Sequence, residues 1–327
     1  MSFAGVVLGL LLLVGGGWLL VRGASEIATK LGISPMVVGL TIVGFGTSAP
    51  ELMVNVMGVL RGEAALAFGN VIGSNISNLG LVLGISAMIS PIVLQSGVVR
   101  REVPLLLLGT TMITVMALDG PLEGRAAVIG RGDSLALLLV FCIFVYIIAL
   151  DFVRDRKSDH LLVDIDHSGV LDKAPRGRVS WLLVVAGCVL LFAGGELTVR
   201  SGAELANQFG VAPTIIGLFV VAVGTSMPEL VTSIIAALRR ESDLALGNVV
   251  GSNLFNSLMV LPISGLIGRI PIPEGGIGDL TISWLLAAVL IPIFFLGKAC
   301  LSRLAGALFV ATYLAYAAYR IIGQPLV

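Results

Sequence analysis

The sequence predicts an all-α integral membrane protein: ten transmembrane helices in two inverted five-helix repeats. Three observations carry this. Of 327 residues, 57% are hydrophobic and only 12% charged, with a mean hydropathy of +1.05, whereas a soluble domain carries about a quarter charged residues. Apolar runs long enough to cross a bilayer core recur ten times. One constant offset of 178 residues superimposes the most distinctive segments of the first half on those of the second.

The runs cover roughly 4–21, 35–60, 65–91, 102–119, 134–152, 180–199, 212–238, 244–268, 279–297 and 301–322. The first, MSFAGVVLGLLLLVGGGWLL, has no basic leader and no small-residue cleavage motif, so it reads as a retained span rather than a signal peptide. Residues 153–179, VRDRKSDHLLVDIDHSGVLDKAPRGRV, form the longest polar stretch and hold both histidines. Asp159, Asp164, Asp166 and Asp172 there lack the D-x-D-x-D-G spacing and closing glutamate of a calcium loop. The chain therefore divides into a first repeat (1–152), a solvated linker (153–179) and a second repeat (180–327).

Lys and Arg sort the loops. With the N-terminus outside, the inner loops hold fourteen basic residues and the outer loops and C-terminus six. The positive-inside rule then puts both termini outside and the linker in the cytoplasm of a cell that carries the protein in its inner membrane. Five spans per repeat force the second repeat to insert upside down, the geometric basis of alternating access.

Twenty basic and twenty acidic residues cancel, so nothing points to a nucleic acid or polyanion, and no obligatory protein partner is evident besides the lipid bilayer. Cys142, Cys188 and Cys300 fall in apolar spans at unrelated spacing, which argues against a disulfide framework or thiolate metal site. Gly44-x-Gly46 has no βαβ context and is no nucleotide fingerprint. No cofactor is expected.

The repeated segments carry the chemistry. Residues 39–51 read GLTIVGFGTSAPE and residues 217–229 read GLFVVAVGTSMPE; residues 69–78 read GNVIGSNISN and residues 247–256 read GNVVGSNLFN. Each copy sets one glutamate, Glu51 or Glu229, inside an apolar run, where an acid is costly and marks function. On a helix, Thr47 and Glu51 share a face and Ser48 lies within reach; Thr225, Ser226 and Glu229 repeat this. Pro50 and Pro228 remove a backbone donor, so carbonyls near Gly46 and Thr47 and their counterparts are partly freed. Such backbone is tolerated at membrane depth only where it is buried in protein or lines a cavity.

The neighbouring spans contribute a polar stripe at i, i+4 and i+8: Asn70, Ser74 and Asn78, then Asn248, Ser252 and Asn256. Gly69 with Gly73, and Gly247 with Gly251, are small-xxx-small pairs that let helices approach. Ion ligation, direct or through water, is the reading favoured for Ser74, Asn78 and their mates. Interhelical glue suits Asn75 and Asn253, which lie off the stripe. Carboxylate, hydroxyl, amide and carbonyl oxygens without Cys or His select hard cations, Ca2+ or Na+, over zinc, copper or iron. Two glutamates neutralise one Ca2+ or two monovalent ions.

The paired segments G-x-G-T-S-x-P-E and G-N-x-x-G-S-N resemble the α-repeats of the cation/Ca2+ exchanger superfamily, in particular its compact prokaryotic sodium/calcium exchanger branch. The resemblance implies exchange of Ca2+ for Na+ at a mid-membrane site between spans two, three, seven and eight, while spans one and six slide across the rest. Carried over residue by residue, it implies Thr47, Ser48, Glu51, Ser74 and Asn78 as ligands from the first repeat. Thr225, Ser226, Glu229, Ser252 and Asn256 would come from the second, and backbone carbonyls near Gly44 and Ala222 would complete the site. Sodium/calcium exchangers of this kind often carry Asp where this chain has Asn256, which keeps H+ open as the driving ion. A cation channel would use similar oxygens but needs no counter-ion. An intramembrane protease would need a catalytic pair that the spans lack, since His160 and His167 lie in the linker and Asp119 and Asp151 at span ends.

Overall fold

The computed structural model describes residues 2–122, 124–163, 177–208, 222–296 and 299–322. Helix α1 (Ser2–Leu31) opens the chain, followed by α2 (Pro35–Leu60), α3 (Ala64–Ile89), α4 (Val98–Leu122), α5 (Arg131–Val163) and α6 (Gly177–Gln208). A single turn, Ala222–Thr225, precedes α7 (Met227–Leu238); α8 (Ser242–Ile267), α9 (Gly276–Leu296) and α10 (Arg303–Ile322) follow. Eight of these helices, all but α7 and α10, are long and apolar enough to cross a membrane. The protein is thus an all-helical membrane protein. Of the predicted spans, the start of the seventh (212–221) lies outside the described residues, as do linker residues 164–176.

Several helices outrun the apolar stretches that predict them. α1 continues ten residues beyond Val21 to Leu31, so Arg22 and Lys30 are helical rather than loop residues. The extension is held by polar contacts along one face. Arg22 pairs with Glu26 at 3.0 Å and its guanidinium lies over Trp18; Lys30 Nζ donates to Ser180 Oγ, and Ser180 Oγ donates to Glu26 Oε2 at 2.8 Å. These bonds tie α1 to α6, which runs antiparallel to it. Along this seam glycine is required by the closeness of the backbones: a Cβ at Gly187 would sit 2.6 Å from Leu20 N, and one at Gly194 would sit 2.8 Å from Gly9 O.

The interior belongs to α3 and α8. Of their spans 72% and 83% is buried, against 22% for α5 and 33% for α1, α4 and α9. A helix shielded from lipid on all sides carries amides and hydroxyls at low cost if they find partners. Gly247 and Gly251 of α8 face α2, where added Cβ atoms would lie 2.7 Å from Met36 O and 2.6 Å from Leu40 O. The close approach predicted for this small-residue pair is present. For Gly69 and Gly73, a Cβ would meet no described residue within 4 Å.

Two antiparallel bridges close the ends: Ile92–Val93 pairs with Cys300–Leu301, and Val128–Ile129 pairs with Ile270–Pro271. Each joins a loop of the first half to a loop of the second. The α2–α3 and α7–α8 turns also match at the offset of 178. Glu63 N donates to Gly58 O at 2.9 Å and Glu241 N to Ala236 O at 2.8 Å, while Gly62 and Arg240 hold φ of +85° and +61°. Glycine takes this left-handed position without strain; Arg240 holds it against its Cβ.

Candidate functional site

Four helices, α2, α3, α7 and α8, bring the repeated motifs together. Glu51 on α2 and Glu229 on α7 are both completely buried. Glu229 Oε1 receives Ser48 Oγ at 3.5 Å. Both carboxylate oxygens of Glu51 and Oε2 of Glu229 are buried with no hydrogen-bond partner among the described residues. The amides of Asn78 and Asn256 share this state at both O and N. Buried polar groups are normally bonded. Seven acceptor or donor atoms stay bare on four equivalent residues, Glu51, Glu229, Asn78 and Asn256, polar capacity that the described residues leave unmet.

Around them the hydroxyls form cross-repeat contacts. Thr47 Oγ1 lies 3.0 Å from Asn248 Oδ1, 3.2 Å from Ser252 Oγ and 3.3 Å from Gly44 O, and Ser252 Oγ is 3.5 Å from the same carbonyl. Thr225 Oγ1 to Asn70 Oδ1 at 3.3 Å mirrors the Thr47–Asn248 contact, and Ser74 Oγ meets Ser226 Oγ at 3.3 Å where Ser252 meets Thr47. Thr47, Ser48, Asn70 and Ser74 of the first repeat each meet a second-repeat group, so neither half assembles this arrangement alone. Ala222 begins the turn before α7.

Local backbone irregularity positions these groups. A π-helical turn spans Gly39–Val43 just before the Gly44–Pro50 segment, and two more begin at Asn78 and Asn256 themselves. A π turn adds one residue and re-aims the side chains beyond it, and such turns are frequent at functional sites. The two prolines act differently. α2 runs unbroken through Pro50, whereas the helix breaks at Ser226 (φ −86°, ψ 5°) and restarts with Pro228 in its first turn, where a missing N–H costs nothing.

Sequence reasoning passed over two residues that the structure places beside this cluster. Asn55 accepts from Asn70 Nδ2 at 2.8 Å, and Ser233 accepts from Asn248 Nδ2 at 2.9 Å. They are equivalent at the same offset and stand four residues after the glutamates, a signal that was available. Asn75 donates to Ser257 Oγ at 2.8 Å, and Asn253 donates to Asn75 O at 3.1 Å, so they do bond across helices. No cluster of three or more His, Cys, Asp and Glu occurs among the described residues, and the donor set stays one of hard oxygens.

Residues 1–150 and 179–322 match the family described as sodium/calcium exchanger protein. Among curated proteins, the sodium/calcium exchanger MaX1 of Methanosarcina acetivorans is 30% identical over 84% of this chain and 85% of its own. The inner membrane protein YrbG of Escherichia coli is 34% identical over 80% and 78%. A solved structure of the sodium-calcium exchanger NCX_Mj, soaked with Na+ and Sr2+, superimposes with a TM-score of 0.82 at 28% identity, covering 97% of both chains. Matched from the first span to the last, and with its motifs paired across four buried helices, the chain belongs to the sodium/calcium exchanger family.

Proposed function

We propose that this protein is a secondary antiporter that exchanges Ca2+ for Na+ by alternating access. The observation that carries the reading is the pair of buried carboxylates, Glu51 and Glu229, three of whose four oxygens lack a partner among the described residues, inside a shell of neutral oxygens. A dehydrated divalent cation needs about six to eight oxygens and compensating charge. The two glutamates supply the charge. Thr47, Ser48, Ser74, Asn78, Thr225, Ser226, Ser252, Asn256 and the carbonyls near Gly44 and Ala222 are the proposed neutral ligands. The fold reading is ten helices in two inverted repeats, 1–152 and 180–327, with residues 153–179 cytoplasmic and both termini outside the cell membrane. Inversion gives the site two equivalent exits, one per half.

A second reading, Ca2+/H+ exchange at the same site, is favoured by one feature: Asn256 leaves no third acid beside the glutamates. The test is radiolabelled Ca2+ uptake into proteoliposomes under imposed Na+, K+ or pH gradients. Uptake driven by outward Na+ supports the first reading and uptake driven only by outward H+ the second. Ca2+ flux with no counter-ion requirement would show a channel and overturn both.

A further inference from the structure

Two backbone carbonyls, Ala67 O and Glu229 O, each fix the direction of a hydroxyl in the opposite repeat. A carbonyl only accepts, so a side-chain amide that faces it must present its NH2. Asn55 turns its Nδ2 to Ala67 O at 3.4 Å, which leaves its Oδ1 to receive Asn70 Nδ2 at 2.8 Å. Asn70 then shows its own Oδ1 to Thr225, whose hydroxyl donates to it at 3.3 Å across the repeats. In the other half, Asn248 Nδ2 donates to Glu229 O at 3.4 Å and to Ser233 Oγ at 2.9 Å. Its Oδ1 receives Thr47 Oγ1 at 3.0 Å. Asn55, Ser233 and Asn248 are buried, so a turned amide would lose these partners without gaining water. Neither Asn55 nor Ser233 bonds to a proposed ligand. Each stands one side chain further out, four residues after Glu51 or Glu229.

The two halves differ in their anchoring. Asn248 reaches a carbonyl by itself, and Ser233 adds a second acceptor. The Asn70 amide nitrogen has Asn55 as its partner among the described residues, and Asn55 is what refers it to a carbonyl. Without Asn55, the oxygen and nitrogen of Asn70 are free to exchange places, and an NH2 facing Thr225 reverses the direction of that hydroxyl. We propose that Asn55 is a positioning residue of the transport site: it sets the Asn70 amide and, through it, the Thr225 hydroxyl of the opposite repeat. Ser233 takes the lesser share of the same task for Asn248 and Thr47. The inference rests on the reading of the Glu51–Glu229 cluster as the transport site. Groups that hold a ligand from behind typically change metal affinity by about 10- to 100-fold when removed.

The test follows Ca2+ uptake by the full-length protein in proteoliposomes, with the Ca2+-induced rise in melting temperature as a readout that needs no counter-ion. Asn55→Ala is expected to raise the Ca2+ concentration for half-saturation about 10-fold in both, with the maximal rate per folded protein within about threefold of the unaltered chain. Asn55→Ser installs the residue type that the second repeat uses there, where Ser233 accepts at 2.9 Å, and should bring half-saturation back to within about threefold. Ser233→Ala should shift it less than Asn55→Ala does, since Asn248 keeps Glu229 O. In a Thr225→Val background, Asn55→Ala should add nothing, because the group it acts through has gone. Unchanged half-saturation in Asn55→Ala, a larger shift in Ser233→Ala, or losses that add in the double variant overturn the proposal and leave antiport intact. If Asn55→Ala does not fold, a shift of about 10-fold in Asn55→Ser overturns it equally. An unaltered protein with neither Ca2+-induced stabilisation nor gradient-driven uptake overturns the transport-site reading itself, which is a different observation.

Discussion

Carboxylate oxygens without partners in a membrane interior are a liability unless a cation visits them, and Glu51 and Glu229 carry three such oxygens at equivalent positions. On the proposed reading each supplies half the compensating charge. Glu51→Gln and Glu229→Gln keep shape and remove that half, and truncating one member of a buried charged set costs about 2–5 kcal/mol. Each variant is expected to lose Ca2+ flux by ~100-fold or more in proteoliposomes. Its melting temperature without cations should not fall, because a costly buried charge has gone. Retained full exchange in either variant would show that the acids do not compensate the ion. Asn256→Asp makes the complementary change. It adds a third acid to the buried site, which demands a further cation or proton, so Ca2+ affinity or its competition with Na+ and H+ should change in titrated uptake; identical affinity and ion dependence would show that position 256 does not touch the transported ions. The sequence revealed the glutamates, hydroxyls and amides because a polar residue stands out in an apolar run. Asn55 and Ser233 stand out equally, yet their role emerges only from the partners they bond, Asn70 and Asn248. Such pairings cross helices and leave no local periodicity.

At the scale of the element, the centres of the eight long apolar helices were readable from hydropathy, while helix ends and interruptions were not. Hydropathy marks where lipid begins, but a helix stops where its backbone partners run out. The Arg22–Glu26–Ser180–Lys30 contacts carry α1 past its apolar stretch. The π turns at Asn78 and Asn256 were likewise silent in sequence, since tertiary packing decides whether a turn holds an extra residue. The glycine seam between α1 and α6 offers a clean comparison. A methyl added at Gly187 meets Leu20 N at 2.6 Å, while one added at Gly15 meets no described residue within 4 Å. Gly187→Ala should therefore lower stability by about 1–3 kcal/mol through overpacking. Gly15→Ala should be neutral or raise it by up to about 1 kcal/mol through helix propensity. Thermal unfolding of the two variants in one detergent separates them, and equal shifts would show that α1 and α6 are not in backbone contact there.

For the whole molecule, the offset of 178 residues recurs at every level: in the motifs, in the π turns that start at Asn78 and Asn256, and in the caps after α2 and α7. Contacts such as Thr47 with Asn248 and Thr225 with Asn70 are the same pairing made twice, each across the halves. Paired exchange of this kind is what a two-fold axis between repeats produces. An axis in the membrane plane further demands that equivalent turns lie on opposite faces of the bilayer. Arg61 follows α2 and its equivalent, Arg239, follows α7; both are exposed. The fourteen-to-six split of basic residues assigns Arg61 to the outside and Arg239, with residues 153–179, to the cytoplasm. In a background with Cys142, Cys188 and Cys300 replaced, an impermeant thiol reagent added to intact cells should label Arg61→Cys. It should leave Arg239→Cys, and a cysteine placed between residues 153 and 179, untouched until the membrane is opened. Reversal of all three would keep the inverted repeat and turn the protein over, which fourteen basic residues on the outer face make unfavourable. Labelling of Arg61→Cys and Arg239→Cys from the same side would break the inversion itself. The two exits of the site would then no longer be related by symmetry, and alternating access would need another origin.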